Sequence, residues 1–344
     1  MREDTNFLFR KKSINYRCMP PHSTMENSFS LTFSHVTEIA AMSAARAAGF
    51  GDKNGADQAA VKAMREYLNT VDFKGKVVIG EGERDEAPML YIGEKLGTGT
   101  GTQIDIAVDP LENTNATATL APCAITVLAA SEKGGLFHAP DMYMNKLVVR
   151  SEAAGKVDID APVEKNLKAI AKALDRAVED LVVVVLDRAR NEDLIADIRK
   201  AGARVKLIPD GDLMPGIAVC MRGTGVHAVM GIGAAPEGVM TAAALRCLKG
   251  EMQARFWPKN KDEEKRLKEM GGSVSKKYYT EDLASGKNII FCATGVTDGD
   301  VLRGVRFFGG GARTHTLTMT TMSGKIRFVD TTHVTDKEQI EYRM

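Results

Sequence analysis

This 344-residue sequence lacks three features, and each absence excludes a class of protein. Its charges nearly cancel, with 46 Lys and Arg against 45 Asp and Glu, whereas nucleic-acid-binding proteins usually carry a basic excess or a basic stripe. No uncharged apolar run approaches the roughly 18–20 residues that span a bilayer. Its five cysteines include no C-x-x-C pair, which argues against a disulfide framework or a structural zinc site. We therefore expect no nucleic-acid partner, no membrane partner and a reducing compartment.

Familiar catalytic and ligand signatures are missing too. The sequence has no Walker A motif and no G-x-S-x-G motif, which mark P-loop nucleotide sites and serine hydrolases. His227, His315 and His333 show no metal-ligand spacing along the chain, so we interpret them as packing residues. Residues 307–311 (FFGGG) lack the strand-to-helix context of a dinucleotide site, and we expect a bend between strands there.

The first 25 residues differ in charge from the rest of the chain. They carry a local charge of +3, which leaves −2 for the remainder. They lack the apolar run of a secretory signal. We interpret residues 1–25 as a disordered extension of a cytoplasmic protein, with an organelle transit peptide as the alternative.

Apolar periodicity predicts helices and strands along the body of the chain. The first half is predicted to contain helices at 29–48 and 57–71, the second capped by Asn54, and strands at 76–79, 103–108 and 123–130. The second half is predicted to alternate as helix 166–178, strand 181–186, helix 191–201, strand 204–208, helix 213–221, strand 226–230 and helix 236–248. This rhythm indicates parallel strands with helices on their faces, and 288–329 returns to strands.

These elements predict an α/β fold in two units, at 26–155 and at 156–344. Clefts between such units are favoured ligand sites. In open α/β sheets, ligands bind at the carboxyl ends of the strands. Acidic residues next to Gly or Pro follow three of the predicted strands, and these positions are the candidates for a site.

The first acidic motif is GEGERDE (80–86), directly after the strand at 76–79. Glu81 and Glu83 are two residues apart and share a face of an extended segment. A solvated acidic turn is the alternative interpretation.

The second acidic motif is DPLENT (109–114). Proline fixes the backbone after Asp109, so a turn can bring the carboxylates of Asp109 and Glu112 and the hydroxyl of Thr114 around one point. This oxygen set suits hard cations such as Mg²⁺ or Mn²⁺. The alternative is a helix cap and a turn.

The third motif is GIGAAPEG (231–238), at a predicted strand-to-helix junction. Its small residues suit close approach of a phosphate to backbone N–H groups, and Glu237 is a candidate metal ligand. The alternative is a tight turn in which the helix dipole favours the glutamate. Asp57, with Lys53 just upstream, adds a fourth acidic segment. Because two metal ions about 3.5–4 Å apart need carboxylates from several segments, these motifs together predict a two-metal site.

Candidate substrate-binding groups occur in the second half of the chain and at one position before it. Arg188 and Arg190 could fork onto a phosphate, or they are surface charges. Asp210 and Asp212 could hold sugar hydroxyls, or they cap the helix that follows. Tyr143 is a candidate ligand hydroxyl, with a packing role as the alternative.

Seven stretches of the chain, in order between about residues 33 and 296, match one known family. They are GDKNGADQAAVKAMR, VVIGEGERDEAPMLYIGEKLG, IDIAVDPLENT, APDMYMNKL, IPDGD, GIGAAPEGV and ATGV. Through them the chain resembles the class II fructose-1,6-bisphosphatases, including the dual fructose-1,6-/sedoheptulose-1,7-bisphosphatases of cyanobacteria.

The resemblance implies the α/β sugar-phosphatase fold of the lithium-sensitive phosphatase superfamily, layered α/β/α/β/α with two mixed sheets. It implies hydrolysis of the 1-phosphate of fructose 1,6-bisphosphate, two or more Mg²⁺ or Mn²⁺ ions per site, and a homo-oligomer, either dimer or tetramer. The first unit would bind the metals and the second the substrate. The alternatives are sedoheptulose-1,7-bisphosphatase or dual activity, another phosphatase such as one for an inositol phosphate, and a non-catalytic sugar-phosphate sensor.

The resemblance also implies roles for individual residues. Implied metal ligands are Asp57, Glu81, Asp109, Glu112 and Glu237. Implied substrate contacts are Glu112, Asn113, Thr114, Tyr143, Arg188, Ala189, Arg190, Asp210, Gly211, Asp212 and Ala234. Implied catalytic residues are Lys53, Glu83, Asp85 and Thr114.

Three positions depart from the family pattern. The family usually has Gly where this chain has Asn113, often Pro in place of Ala189, and in some members Gly in place of Ala234. The Asn113 side chain would either crowd the substrate phosphate or hydrogen-bond to it. Rate and substrate preference are therefore the properties that this departure puts in question.

Overall fold

A computed structural model describes residues 24–80 and 90–334 of the protein. Within these residues the α-helices are α1 (Thr24–Arg46), α2 (Lys53–Leu68), α3 (Thr114–Thr119), α4 (Val163–Ala173), α5 (Glu192–Lys200), α6 (Leu213–Ala218), α7 (Ala235–Leu248), α8 (Lys261–Glu269) and α9 (Thr280–Leu283). The strands are β1 (Lys74–Ile79), β2 (Lys95–Leu96), β3 (Gln103–Glu112), β4 (Ile125–Glu132), β5 (Tyr143–Val149), β6 (Val182–Leu186), β7 (Arg204–Ile208), β8 (Ala228–Ala234), β9 (Glu251–Trp257), β10 (Tyr278–Tyr279), β11 (Ile290–Gly295), β12 (Arg306–Phe308), β13 (Gly311–Thr320) and β14 (Ile326–Val334). The predicted extension at 1–25 falls almost entirely outside the described residues.

The strands form two mixed sheets. The first has the order β12-β13-β11-β4-β3-β1-β2, with β14 also paired to β13. Within it β1 and β3 are parallel and the other pairs are antiparallel. The second has the order β10-β9-β5-β8-β6-β7, with β6 parallel to both β7 and β8.

Buried apolar side chains arrange these elements in five layers. One cluster joins α1 and α2 to the outer face of the first sheet. A second lies between the sheets, where Val239 of α7 is buried with Val127 of β4 and Val148 of β5. A third joins α4 and α5 to the outer face of the second sheet. The order is thus α/β/α/β/α, which confirms the predicted α/β fold class.

The chain enters the two sheets in an order that its linear sequence does not reveal. The first sheet takes β1–β4 and β11–β14, and the second takes the intervening strands β5–β10. The last four strands therefore return to the sheet in which the chain began. The division into units at 26–155 and 156–344 stays a prediction.

Most of the elements predicted from periodicity are present, with two local corrections. The strand expected to end at residue 108 continues through Pro110 to Glu112, and its pairing with β4 is irregular between Asp109 and Glu112. The cap of α2 is Asp52 instead of Asn54, because the Asp52 carboxylate accepts a hydrogen bond from Gly55 N at 2.9 Å. The predicted bend in FFGGG is the turn between β12 and β13.

Helix α1 contacts the first sheet through polar groups as well as apolar ones. Glu38 Oε1 accepts hydrogen bonds from Thr331 Oγ1 at 2.7 Å and from Thr316 Oγ1 at 3.3 Å. The Thr37 and Thr294 hydroxyls lie 2.8 Å apart, as do those of Thr294 and Thr316. We call these five side chains the polar seam, and all but Thr331 are at most 4 % exposed. Because a buried polar group is costly unless it is paired, the seam fixes where α1 lies on the sheet.

Among the helices of the described residues, none has both the length and the apolar character needed to cross a membrane.

Candidate functional site

Four carboxylates from three elements converge where β3 ends. Asp109 and Glu112 come from β3, Asp212 directly precedes α6, and Glu237 lies in the first turn of α7. Glu112 Oε1 accepts a hydrogen bond from Leu213 N at 3.3 Å, which joins β3 to the start of α6. The other three charges all act on the Glu112 carboxyl. We call these four side chains the carboxylate cluster.

The backbone at the end of β3 is held in an irregular conformation by side-chain hydrogen bonds. Asp109 Oδ1 accepts a hydrogen bond from Leu111 N at 3.0 Å, which stabilises the irregular stretch around Pro110. Asn113 then adopts a left-handed conformation with φ of 68°, and its Oδ1 accepts a hydrogen bond from Ala116 N at 3.2 Å, capping α3. Asparagine tolerates this conformation better than most residues. This explains how Asn113 can occupy a position at which the resemblance implies glycine, and the hydrogen bond directs the amide oxygen to the helix backbone.

A buried lysine lies beside the cluster. Lys146 Nζ of β5 is 2.6 Å from Asp212 Oδ2, with side chains only 3 % and 7 % exposed, and it donates a hydrogen bond to Ala234 O at 3.0 Å. A Cβ on Gly233 would fall 2.3 Å from that carboxylate oxygen and 2.8 Å from Nζ, so only glycine leaves room for the ion pair. The sequence reasoning missed Lys146. The signal that could have found it is that Lys146 is the single charged residue of β5.

The cluster holds more negative charge than its surroundings neutralise. Burial, and then repulsion from Asp109, Glu237 and Asp212, raise the pKa of Glu112 well above its usual range. Burial raises the pKa of Glu237 to about 8, in spite of the opposing effect of Lys146. Oε2 of Glu112 and Oε2 of Glu237 are both buried, and neither has a hydrogen-bond partner among the described residues. Buried carboxylates in this state favour a protonated form or a bound cation, so the residues present fit a divalent metal site.

Three further predicted site residues lie on α2 and α3, two helices that are joined through the turn before α2. Asp57 is half-buried in the second turn of α2. The turn before α2 is tied to α3 by Gly49 N donating to Thr117 O and Gly51 N to Ala118 O, both at 3.0 Å. Lys53 begins α2 and is exposed, and Thr114 begins α3 and is half-buried.

Glu81, Glu83 and Asp85 lie outside the described residues. The strand that leads to them, β1, ends at Ile79, which pairs with Ala107 of the parallel strand β3. Since the carboxyl ends of neighbouring parallel strands meet at one edge of a sheet, the position of Glu81 near Asp109 stays a prediction.

A second, positively charged group surrounds Tyr143. The Arg190 guanidinium and the Lys259 ammonium each lie 4.2 Å from the centre of the Tyr143 ring, a distance typical of cation–π contacts. Tyr143 of β5 pairs with Ala234 of β8, and Arg190 Nε donates a hydrogen bond to Ile232 O of β8 at 3.0 Å. The group therefore borders the strand that leads to Glu237. Lys259 was not predicted, because it is exposed in a loop after β9 and no motif marks it.

Arg188 lies apart from Arg190. It lines a cavity of about 480 Å³ together with Asn113, Asp210 and Gly211. This cavity adjoins the carboxylate cluster, since a Cβ on Gly211 would lie 3.5 Å from Glu112 Oε1. The two arginines thus occupy different surroundings, and Ala189 between them is exposed in a short 3₁₀ turn. Of the PDGD acids, Asp210 faces the cavity whereas Asp212 is committed to Lys146.

Comparison with known proteins adds an independent observation. The family model described as bacterial fructose-1,6-bisphosphatase, glpX-encoded, matches residues 27–333. A relative from Synechococcus sp. (strain JA-2-3B'a(2-13)) is 53 % identical over 340 residues, covering 92 % of this chain and 98 % of the relative. Relatives from Gloeobacter violaceus and Thermosynechococcus vestitus are 50 % and 49 % identical, each covering 91 % of this chain and, respectively, 97 % and 98 % of their own lengths. All three are named D-fructose 1,6-bisphosphatase class 2/sedoheptulose 1,7-bisphosphatase.

Proposed function

Because the chain belongs to the bacterial, glpX-encoded fructose-1,6-bisphosphatase family, we propose that its carboxylate cluster hydrolyses the 1-phosphate of fructose 1,6-bisphosphate. The products are fructose 6-phosphate and phosphate, as in gluconeogenesis, and the enzyme is a phosphoric monoester hydrolase. The observation that carries the proposal is the cluster itself, where four carboxylates face one buried ammonium. Sedoheptulose 1,7-bisphosphate is the second candidate substrate, favoured by the names of the relatives.

We propose that Asp57, Glu81, Asp109, Glu112 and Glu237 hold two or more Mg²⁺ or Mn²⁺ ions. The partnerless oxygens of Glu112 and Glu237 and the raised pKa values of both residues support this assignment. When bound, such ions polarise the phosphoryl group and lower the pKa of a water. Lys146 pairs with Asp212, and the adjacent Leu213 N donates a hydrogen bond to Glu112, so these two contacts hold the start of α6 against β3.

The chain's own residues then orient the reactants. We propose that Thr114, at the first position of α3, orients the attacking water for in-line displacement, with Glu83 or Asp85 as the expected partner of its hydroxyl. Lys53, exposed at the start of α2, is the other residue that we propose for catalysis. Positioning of this kind accounts for a large part of catalysis in phosphoryl transfer. No covalent phosphoenzyme is proposed.

The positive group around Tyr143 is suited to the phosphate that does not react. Arg190 and Lys259 lie at one tyrosine ring, and charge-assisted hydrogen bonds from such groups hold phosphate strongly. Arg188, Asp210 and Gly211 line the neighbouring cavity, which suits the sugar. Binding the far phosphate would hold the 1-phosphate over the carboxylate cluster.

Replacing Lys259 with alanine is expected to raise KM for the bisphosphate about 10-fold, with little change in kcat. The reason is that the lost charge-assisted hydrogen bond contributes about 1.5–3 kcal/mol to binding but does not touch the reacting phosphate. Steady-state kinetics with saturating Mg²⁺ measure both constants. Lys261→Ala, an equally exposed lysine two residues away, is the matched control. Equal KM values for the two variants would remove Lys259 from the site.

The activity itself is tested by phosphate release from a panel of substrates. We expect release from fructose 1,6-bisphosphate that requires Mg²⁺ or Mn²⁺ and is inhibited by lithium. Activity that survives chelation would contradict the metal proposal. A higher kcat/KM for sedoheptulose 1,7-bisphosphate or an inositol phosphate would reassign the substrate, and metal-dependent binding without turnover would favour a sensor.

We also propose a homo-oligomer, a dimer or tetramer, in the cytoplasm. Large apolar side chains of β12 and β14 are 41–50 % exposed, namely Phe307, Phe308, Ile326 and Phe328. An exposed apolar patch of this kind commonly marks a protein interface. Sedimentation of the wild type and of Phe328→Glu tests the assembly. Import into an organelle through residues 1–25 is the alternative location.

A further inference from the structure

Two histidines and a glutamate meet where α1 lies against β14, outside the carboxylate cluster. Glu38 Oε2 is 3.4 Å from His35 Nδ1 and 3.8 Å from His333 Nε2. The three donor atoms all lie within 4.8 Å of one another. We call these three side chains the His-Glu-His trio.

The two histidine–glutamate spacings approach those of a tetrahedral metal site. With metal–ligand bonds of about 2.0–2.1 Å, neighbouring ligand atoms stand about 3.3–3.4 Å apart. The His35–Glu38 spacing of 3.4 Å already has this value, and the His333–Glu38 spacing of 3.8 Å needs a closure of a few tenths of an ångström. His35 and Glu38 are one helical turn apart and so share a face of α1.

The surroundings orient the glutamate for this task. Its Oε1 accepts hydrogen bonds from Thr331 and Thr316 of the polar seam, which turns Oε2 towards the two imidazoles. Fixing a ligand through its second atom is how proteins orient metal-binding carboxylates. The side chains of Glu38 and His333 are 5 % and 12 % exposed, whereas that of His35 is 40 % exposed. One side of the trio is therefore open to water for a fourth ligand.

We propose that His35, Glu38 and His333 bind a divalent transition-metal ion of the Zn²⁺ class, which ties α1 to β14. Two imidazole nitrogens and one carboxylate suit Zn²⁺ and its neighbours in the first row, whereas Mg²⁺ prefers an all-oxygen octahedral site. The ion must displace one existing contact, because the Thr314 hydroxyl lies 2.9 Å from His333 Nε2. The site is therefore distinct in chemistry as well as in place from the carboxylate cluster.

The test is Zn²⁺ binding to the full-length protein in excess Mg²⁺, which saturates the carboxylate cluster. Equilibrium dialysis with metal analysis should show about one more Zn²⁺ per chain in the wild type than in His35→Ala. His138→Ala is the matched control, because His138 is 38 % exposed and lies 3.9 Å from a single buried carboxylate, that of Asp105. It should retain the extra ion. Thr331→Val should weaken binding about 10-fold by releasing the glutamate.

Two further measurements distinguish a site from a simple His-Glu contact. Co²⁺ in place of Zn²⁺ should give the intense visible absorption of a tetrahedral complex in the wild type and not in His35→Ala. Zn²⁺ should raise the unfolding midpoint of the wild type and of His138→Ala but not that of His35→Ala, since a ligand that binds only the folded state stabilises it. The His35→Ala variant should fold normally, because position 35 is half-exposed in a helix and alanine favours helices. Equal Zn²⁺ content in the wild type and His35→Ala, or no shift in the midpoint, would overturn the proposal.

Discussion

Replacing Asp109 with asparagine is expected to lower kcat by about 100-fold or more. Changing a residue that only orients a metal ligand already costs about 10–100-fold in activity, and Asp109 is proposed to be a ligand itself. The carboxamide Oδ1 can still accept the hydrogen bond from Leu111 N, so the backbone at the end of β3 should persist. What is lost is one negative charge of a cluster proposed to hold divalent cations. Initial rates of phosphate release at saturating fructose 1,6-bisphosphate and Mg²⁺ give kcat directly.

The control for Asp109→Asn is the same change at Asp187, an exposed residue that follows β6. It removes equal charge from the protein without touching the carboxylate cluster, and kcat should stay within about twofold of the wild type, as surface substitutions usually have small effects. A near-normal kcat in Asp109→Asn would exclude Asp109 as a metal ligand. An equal loss in both variants would show that overall charge, and not the cluster, controls the rate.

The metal-free protein is expected to lose stability as the pH rises from about 4.5 to about 8. The pKa of Glu237 is about 8 in the folded protein against 4.5 as its ordinary value. The folded state therefore binds more protons than the unfolded state throughout that window, and the free energy of unfolding falls as the pH rises. The total is of the order of a few kcal/mol. Urea unfolding in chelator at a series of pH values measures it.

Two comparisons separate this effect from general titration. Glu237→Gln should flatten the pH dependence and make the metal-free protein more stable at pH 8, and saturating Mg²⁺ should flatten it in the wild type. Glu132→Gln should leave the pH dependence unchanged over this range. Hydrogen bonds from Lys287 N and Asn288 N lower the pKa of Glu132 in spite of its burial, so Glu132 adds stability as the pH rises instead of removing it. If the free energy of unfolding changed equally with pH in the wild type and in Glu237→Gln, the cluster would not carry an excess of buried negative charge without metal.

Local patterns in the sequence predicted the parts of this protein that depend on local physics. Helices α4 and α5 and strand β6 follow from apolar spacing, because each helix buries one face and the strand is buried along nearly its whole length. The acids Asp109 and Glu112 lie at the end of β3 and Glu237 lies in the first turn of α7, and the structure does bring them together. Their roles as ligands stay predictions.

The features that the sequence could not indicate depend on contacts between distant residues. Strand β5 was missed because Lys146 and Asn145 interrupt its apolar pattern, yet it lies in the middle of the second sheet. Lys146 is assigned to the site only by its ion pair with Asp212, and Lys259 only by its contact with the Tyr143 ring. His35 and His333 are almost 300 residues apart, so no spacing rule could relate them.

The polar seam has a consequence for how the protein is made. Glu38 emerges from the ribosome early, but its partner Thr331 is 293 residues further along the chain. At about 5–20 residues per second, about 15–60 s separate the synthesis of these two residues, so this contact of α1 with β14 forms late. Helix α2, which carries Asp57, shares a buried apolar cluster with α1. A ribosome-bound chain that stops before β14 should therefore lack the Glu38–Thr331 contact, and we expect lower phosphatase activity from it than from the full-length chain.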